Sequence, residues 1–69
     1  MASNVEKVEW ICEHVSLTDE QALTLMDWIR ENCSIADMET LYHSDVVAGS
    51  ALYTLLSETA GEMGGFSRY

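Results

Sequence analysis

No proline occurs anywhere in the 69 residues, and apolar side chains recur at every third or fourth position along most of the length. Nothing therefore removes a donor from a helical hydrogen-bond ladder, and the spacing matches the period of an amphipathic helix. No segment alternates cleanly between apolar and polar residues, so strands are not expected. The sequence predicts an all-α fold, a compact bundle of about four short helices. A chain this short forms one domain, and it buries only roughly 60% of the surface that it exposes when unfolded. Helix packing must supply the stability, because Cys12 and Cys33 are the only cysteines and two do not make a disulfide framework.

Starts and stops can be placed from capping chemistry. Residues 4 to 15 form a first helix, capped by Ser3 or Asn4, with Val5, Val8, Cys12 and Val15 on one stripe and Ile11 at its edge. Thr18 followed three residues later by Gln21 is a capping box, with Leu17 placed to staple onto Ala22. It opens a second helix to about residue 32. Its inner stripe is Ala22, Leu25, Met26 and Ile29, widened by Leu23 and Trp28. Ser34 with Asp37 opens a short third helix, the shorter Asp making a weaker box, with Ile35, Met38 and Leu41 or Tyr42 inward. Ser44 caps a fourth helix to about residue 60, with Ala48, Ala51, Leu52, Leu55 and Leu56 inside. Small Ala48, Gly49 and Ala51 would let a neighbour approach closely, and Gly61 would end the helix. The domain then covers residues 1–61. Residues 62–69 form a flexible tail in which Met63, Phe66 and Tyr69 could dock. The first two helices should pair as an antiparallel hairpin turning near Ser16.

Charge narrows the function classes. Twelve acidic residues face only Lys7, Arg30 and Arg68, a net charge of −9. Direct binding to nucleic acid needs cations for the phosphates, and an acidic membrane surface needs them too, so both partners are excluded. The second and third helices could pass for a helix-turn-helix, but the reading helix carries Asp37 and Glu39 and no cation. No apolar run reaches the about 18 residues of a membrane span. The start, Met1-Ala2-Ser3-Asn4, lacks a basic flank and an apolar stretch, so no secretory signal is expected and a cytoplasmic location is.

No reaction chemistry is expected. Cys12 and His14 are two apart on one helix and do not share a face, His43 is the only other histidine, and no Cys-x-x-Cys occurs. No metal or cofactor is therefore expected. Cys33 with His43 has no local nucleophile signature. Ser44-Asp45 has the order opposite to the Asp-Ser of a phosphopantetheine site, so Ser44 stays a cap. In a hairpin, Cys33 would lie roughly 16 Å from the level of Cys12, too far for a disulfide.

What remains is two acidic rows. Glu6, Glu9 and Glu13 share one face of the first helix, and Glu20, Asp27 and Glu31 one face of the second. Neighbours three or four apart repel, and Lys7 and Arg30 cannot compensate both rows. A solvated face is the usual fate of a charge run, but ordinary surfaces mix both signs. Such rows would compete for the Lys and Arg of a nucleic-acid channel, with Trp10 as an anchor if it stands exposed among Glu6, Glu9 and Glu13. A very short, proline-free, strongly acidic chain of this kind resembles the small inhibitors made by phages, including anti-CRISPR and DNA-mimic anti-restriction proteins. The resemblance implies non-catalytic action in the bacterial cytoplasm, as a monomer or homodimer, on the basic surface of a CRISPR complex or nuclease. The alternative is a helical adaptor or antitoxin-like subunit that binds through apolar surface, using Trp10, Trp28, Tyr53 and the face around Gly49.

Overall fold

Three capping boxes set the first half of the structure, a computed structural model that describes residues 2–62 and Gly64. Ser3, Thr18 and Ser34 each accept a bond from the backbone N–H three residues on. In return, the backbone N–H of Ser3 donates to Glu6 Oε1 at 3.1 Å and that of Thr18 to Gln21 Oε1 at 3.0 Å. The Ser34 N–H reaches Asp37 Oδ2 at 3.4 Å, the longer bond expected of a side chain one methylene shorter. These boxes open α1 (Asn4–His14), α2 (Asp19–Asn32) and α3 (Ile35–Tyr42). With Thr18 replaced by Ala, the Gln21 N–H loses its acceptor. The expected cost is about 1 kcal/mol, read as a fall of about 4–8 °C in thermal midpoint.

The expected fourth helix is two helices. α4 (Asp45–Ala48) is one turn long, and α5 (Leu52–Glu62) follows after a break. At the break the Ser50 hydroxyl donates to the Val47 carbonyl at 2.7 Å, and the Ser50 N–H donates to the same oxygen at 3.0 Å. That oxygen is thereby taken from the helical ladder, as a serine competing with the backbone does. The break has a packing consequence. In one unbroken helix Val47 and Leu52 would point about 140° apart at about 100° per residue, yet both are at 0% exposure. Bending the chain between them turns both inward. Ala48 is accordingly exposed rather than inside, and a Cβ on Gly49 would meet nothing closer than the Val46 carbonyl at 3.9 Å. Gly49 is thus a place where the helix stops, not a close helix crossing. Ser44 occupies the N-cap of α4 but makes no side-chain cap bond. Gly61 lies within α5, which runs on to Glu62. The expected tail falls outside the described residues, apart from Glu62 and Gly64.

α5 is the centre of the packing, touching α2, α3 and α4, while α1 lies across α3 and α4. The core joins Val8, Met26, Ile29, Met38, Leu41, Val47, Leu52 and Leu56. The radius of gyration is 11.0 Å, the value expected for a folded chain of this length. Thr59 completes the inner stripe of α5 at 3% exposure. Its hydroxyl donates to the Leu55 carbonyl at 2.9 Å and accepts from the Arg30 guanidinium at 3.0 Å, so the buried oxygen is satisfied. Three residues expected inside or at the edge of a buried stripe are outside: Val15, Leu23 and Ile35 are exposed. Val15 lies just past the end of α1 and Ile35 is the first residue of α3, so both stand at helix ends, and Leu23 stands at the edge of its stripe. Among the described residues no strand forms.

The expected hairpin of α1 and α2 holds only at its ends. One end is the link through residues 15–18. At the other, Asn4 Nδ2 donates to the Asn32 carbonyl at 2.8 Å. Between these ties the two helices approach each other less closely than α1 approaches α3 and α4 or α2 approaches α5.

Candidate functional site

The open middle of that hairpin is a groove of about 620 Å³. Val8 and Ile11 line it from α1, Leu25 and Trp28 from α2, and Val15 and Leu17 from the link. Lys7 stands on the α1 side, and Glu20, Gln21 and Thr24 on the α2 side. The lining is apolar because each helix carries a second apolar stripe beside the one it buries. Along α1 and its C-cap it is Ile11 with Val15, four apart; on α2 it is Leu25 with Trp28, three apart. Both spacings place a pair on one helical face. A smaller hollow of about 520 Å³ continues across α1 from Lys7 and Ile11 to Glu6, Trp10 and Ala2. The sequence places Val8, Val15 and Leu25 on inner stripes, Ile11 at a stripe edge, Leu17 in a staple and Trp28 in a widened core. That both helices have more apolar surface than one neighbour can cover was the available signal.

The acidic residues are placed unequally around this face. Glu13, Glu20, Asp27 and Glu31 are exposed and form no ion pair among the described residues. Glu6 is exposed too, with Oε1 engaged by the Ser3 N–H. Glu9 is drawn off the row: it is half-buried, and its Oε2 accepts a bond of 2.8 Å from the Ser44 hydroxyl. The same bond accounts for the missing side-chain cap at α4. Arg30 does not offset the α2 row, because its guanidinium turns to Thr59 and to Glu62 Oε1 at 3.6 Å on α5. That exposed pair contributes little stability. The consequence that matters is where the cation goes, which leaves the α2 row unneutralised.

Trp10 is 57% exposed and stacks on His14, with ring centroids 4.3 Å apart and planes at 19°. The stack holds the indole against α1 in a fixed orientation. Trp28 is half-buried in the groove wall. Of the other apolar candidates, Tyr53 is half-buried and stacks on Tyr42 at 5.3 Å, and Gly49 is exposed on the far side of α1 from the groove lining. Hydrogen bonding to Ser57 and then to Tyr53 pulls the Tyr42 phenol down, and the same pairing pushes Tyr53 up.

Cys12 and Cys33 are free thiols. Burial pushes the Cys12 thiol above its ordinary value of 9.0; a hydrogen bond with Ser50 partly opposes this and Glu9 adds to it. Burial and then Asp37 push Cys33 up as well. Both thiols therefore hold their protons near neutrality, the reverse of an activated nucleophile. Labelling by a disulfide reagent at pH 8 is expected to be several-fold slower in the folded chain than in the chain unfolded in guanidinium. The sign for stability follows. The contribution of the two protonated thiols is fully present below pH 9.0 and is lost as pH rises through their raised folded values. Among the described residues no group of three or more His, Cys, Asp or Glu side chains gathers to hold a metal, and no helix is long and apolar enough to cross a membrane.

The chain matches no protein-family model, no curated protein and no solved structure. The reading of its function rests on this geometry and on its charge.

Proposed function

We propose that this protein is a non-catalytic, stoichiometric inhibitor that covers the basic nucleic-acid groove of a CRISPR or nuclease complex, acting in the bacterial cytoplasm. The observation that carries the reading is the unneutralised row on α2. Glu20, Asp27 and Glu31 are exposed and unpaired among the described residues, and the nearest cation in sequence, Arg30, is held on α5. From Glu20 to Glu31 the row spans roughly 16 Å on a rigid helix. The helix fixes the backbone positions of the row, so its carboxylates present one concentrated negative field to Lys and Arg. On α1, Glu13 is a further exposed carboxylate, and Trp10 supplies a large exposed anchor beside Glu6. Duplex DNA itself is repelled by the same field.

The test is DNA cleavage by a panel of purified CRISPR complexes and restriction nucleases. Inhibition should saturate at one chain per DNA-binding groove and be relieved when the nuclease is loaded with DNA first. Undiminished cleavage across the panel at tenfold excess of chain would reject the reading. A second reading, a helical adaptor that binds a protein through apolar surface, is favoured by the 620 Å³ groove. The two differ in salt dependence, because contacts between exposed charges are screened and apolar contacts are not.

A further inference from the structure

We infer that the groove between α1 and α2 is the seat of a basic amphipathic helix of the partner, whose apolar face fills the groove while its Lys and Arg meet the acidic row. The inference deepens the inhibitor reading and rests on it. Three observations select this occupant.

The walls are two helices whose backbone groups are already paired internally, so the groove offers no sheet edge for an extended peptide. An occupant must satisfy its own backbone polar groups, which a helix does. The lining also has the form that a helix fits. Ile11 and Val15 on one wall and Leu25 and Trp28 on the other make two apolar ridges, and a third helix can set its own ridge between them. The groove is open only between the ties at the link and at the Asn4–Asn32 bond, so α1 and α2 bound its length at roughly 16–21 Å. That is about three to four turns of helix.

Charge decides between a foreign helix and a second copy of this chain. Two copies would bring −9 against −9, with Glu20 at the rim and Asp27 and Glu31 along the same helix. Lys7 is the one cation among the lining residues. A basic helix meets the opposite sign on the α2 side, and one acidic residue opposite Lys7 would fix its direction.

The probe is a capped 18-residue peptide of leucine and lysine, with leucines at helical spacing on one face. It is titrated into the full chain by calorimetry and followed through the Trp28 indole N–H by NMR. Two control peptides keep the composition but scramble the order, or replace every lysine by glutamate. The informative variant is Ile11→Gln with Val15→Gln. It leaves the charge unchanged, and neither side chain belongs to the core cluster or packs against it. Binding at 1:1 that moves the Trp28 signal, and that is weakened at least tenfold by scrambling, by the glutamate replacement and by the double variant, supports the inference. Equal affinity for the ordered and scrambled peptides, or an unchanged affinity in the double variant, overturns it while leaving the acidic-face reading intact. Absence of peptide binding by a chain that still inhibits a nuclease also overturns it. So does a chain dimer in sedimentation equilibrium that the double variant dissociates, since the occupant is then a second copy. Loss of nuclease inhibition on reversing the α2 charges, reported separately, addresses the parent reading alone.

Discussion

Replacing Glu20, Asp27 and Glu31 together by Lys is expected to weaken inhibition of the target nuclease on the order of 100-fold, with the helical circular dichroism spectrum unchanged. Each swap moves the charge by two, so the variant stands at −3 against −9 for the parent chain. The loss has two parts. The attraction that accelerates encounter is reduced, and Lys then faces Lys at the contact itself, where like charges suppress binding. The fold should tolerate the change because all three side chains are exposed and form no ion pair among the described residues. Glu20 sits in the first turn of α2, where a negative charge is favoured, so a modest fall in thermal midpoint is expected from that position. Glu9→Gln is the matching control. Glu9 is half-buried and bonded to Ser44, so its loss should be read in stability more than in inhibition.

Leu56→Ala is expected to produce the largest loss of stability. Leu56 is at 0% exposure in α5, the helix on which α2, α3 and α4 converge. Removing three carbons there costs about 2–5 kcal/mol, made up of lost transfer energy and the cavity left behind. A 69-residue chain has roughly 3–10 kcal/mol in total. The variant should therefore be partly or wholly unfolded at 37 °C, with a thermal midpoint lowered by at least about 10 °C. Leu23→Ala is the comparison, since Leu23 is 54% exposed. Its cost should stay under about 1 kcal/mol, in the range of ordinary surface changes. Equal losses in the two variants would mean that the core lies elsewhere.

The local half of this structure was legible from sequence because capping is local chemistry. Ser3, Thr18 and Ser34 open helices where the sequence placed them, and even the weaker Ser34–Asp37 box shows in its longer bond. The break after Ala48 was not legible. A serine inside an apolar period looks the same whether its hydroxyl faces water or takes a carbonyl from the ladder, and only the need to bury both Val47 and Leu52 decides which. Thr59 was passed over for its hydroxyl, although it stands seven residues from Leu52 and three from Leu56 on the same face. The groove was hidden for a different reason. Short links usually join helices that pack together, and the sequence does not show that α1 and α2 each prefer another partner. The displacement of Glu9 was within reach: it lies four residues from Val5 and three from Cys12, both packed against the core.

The account stands on unneutralised carboxylates that meet a cationic surface. Its most direct test is the affinity of the chain for a nuclease that it inhibits, measured by calorimetry without DNA at about 50 and 200 mM salt. At least a tenfold loss of affinity is expected at the higher salt, with the loss nearly absent in the triple Lys variant. An affinity that is the same at both salt concentrations would contradict it.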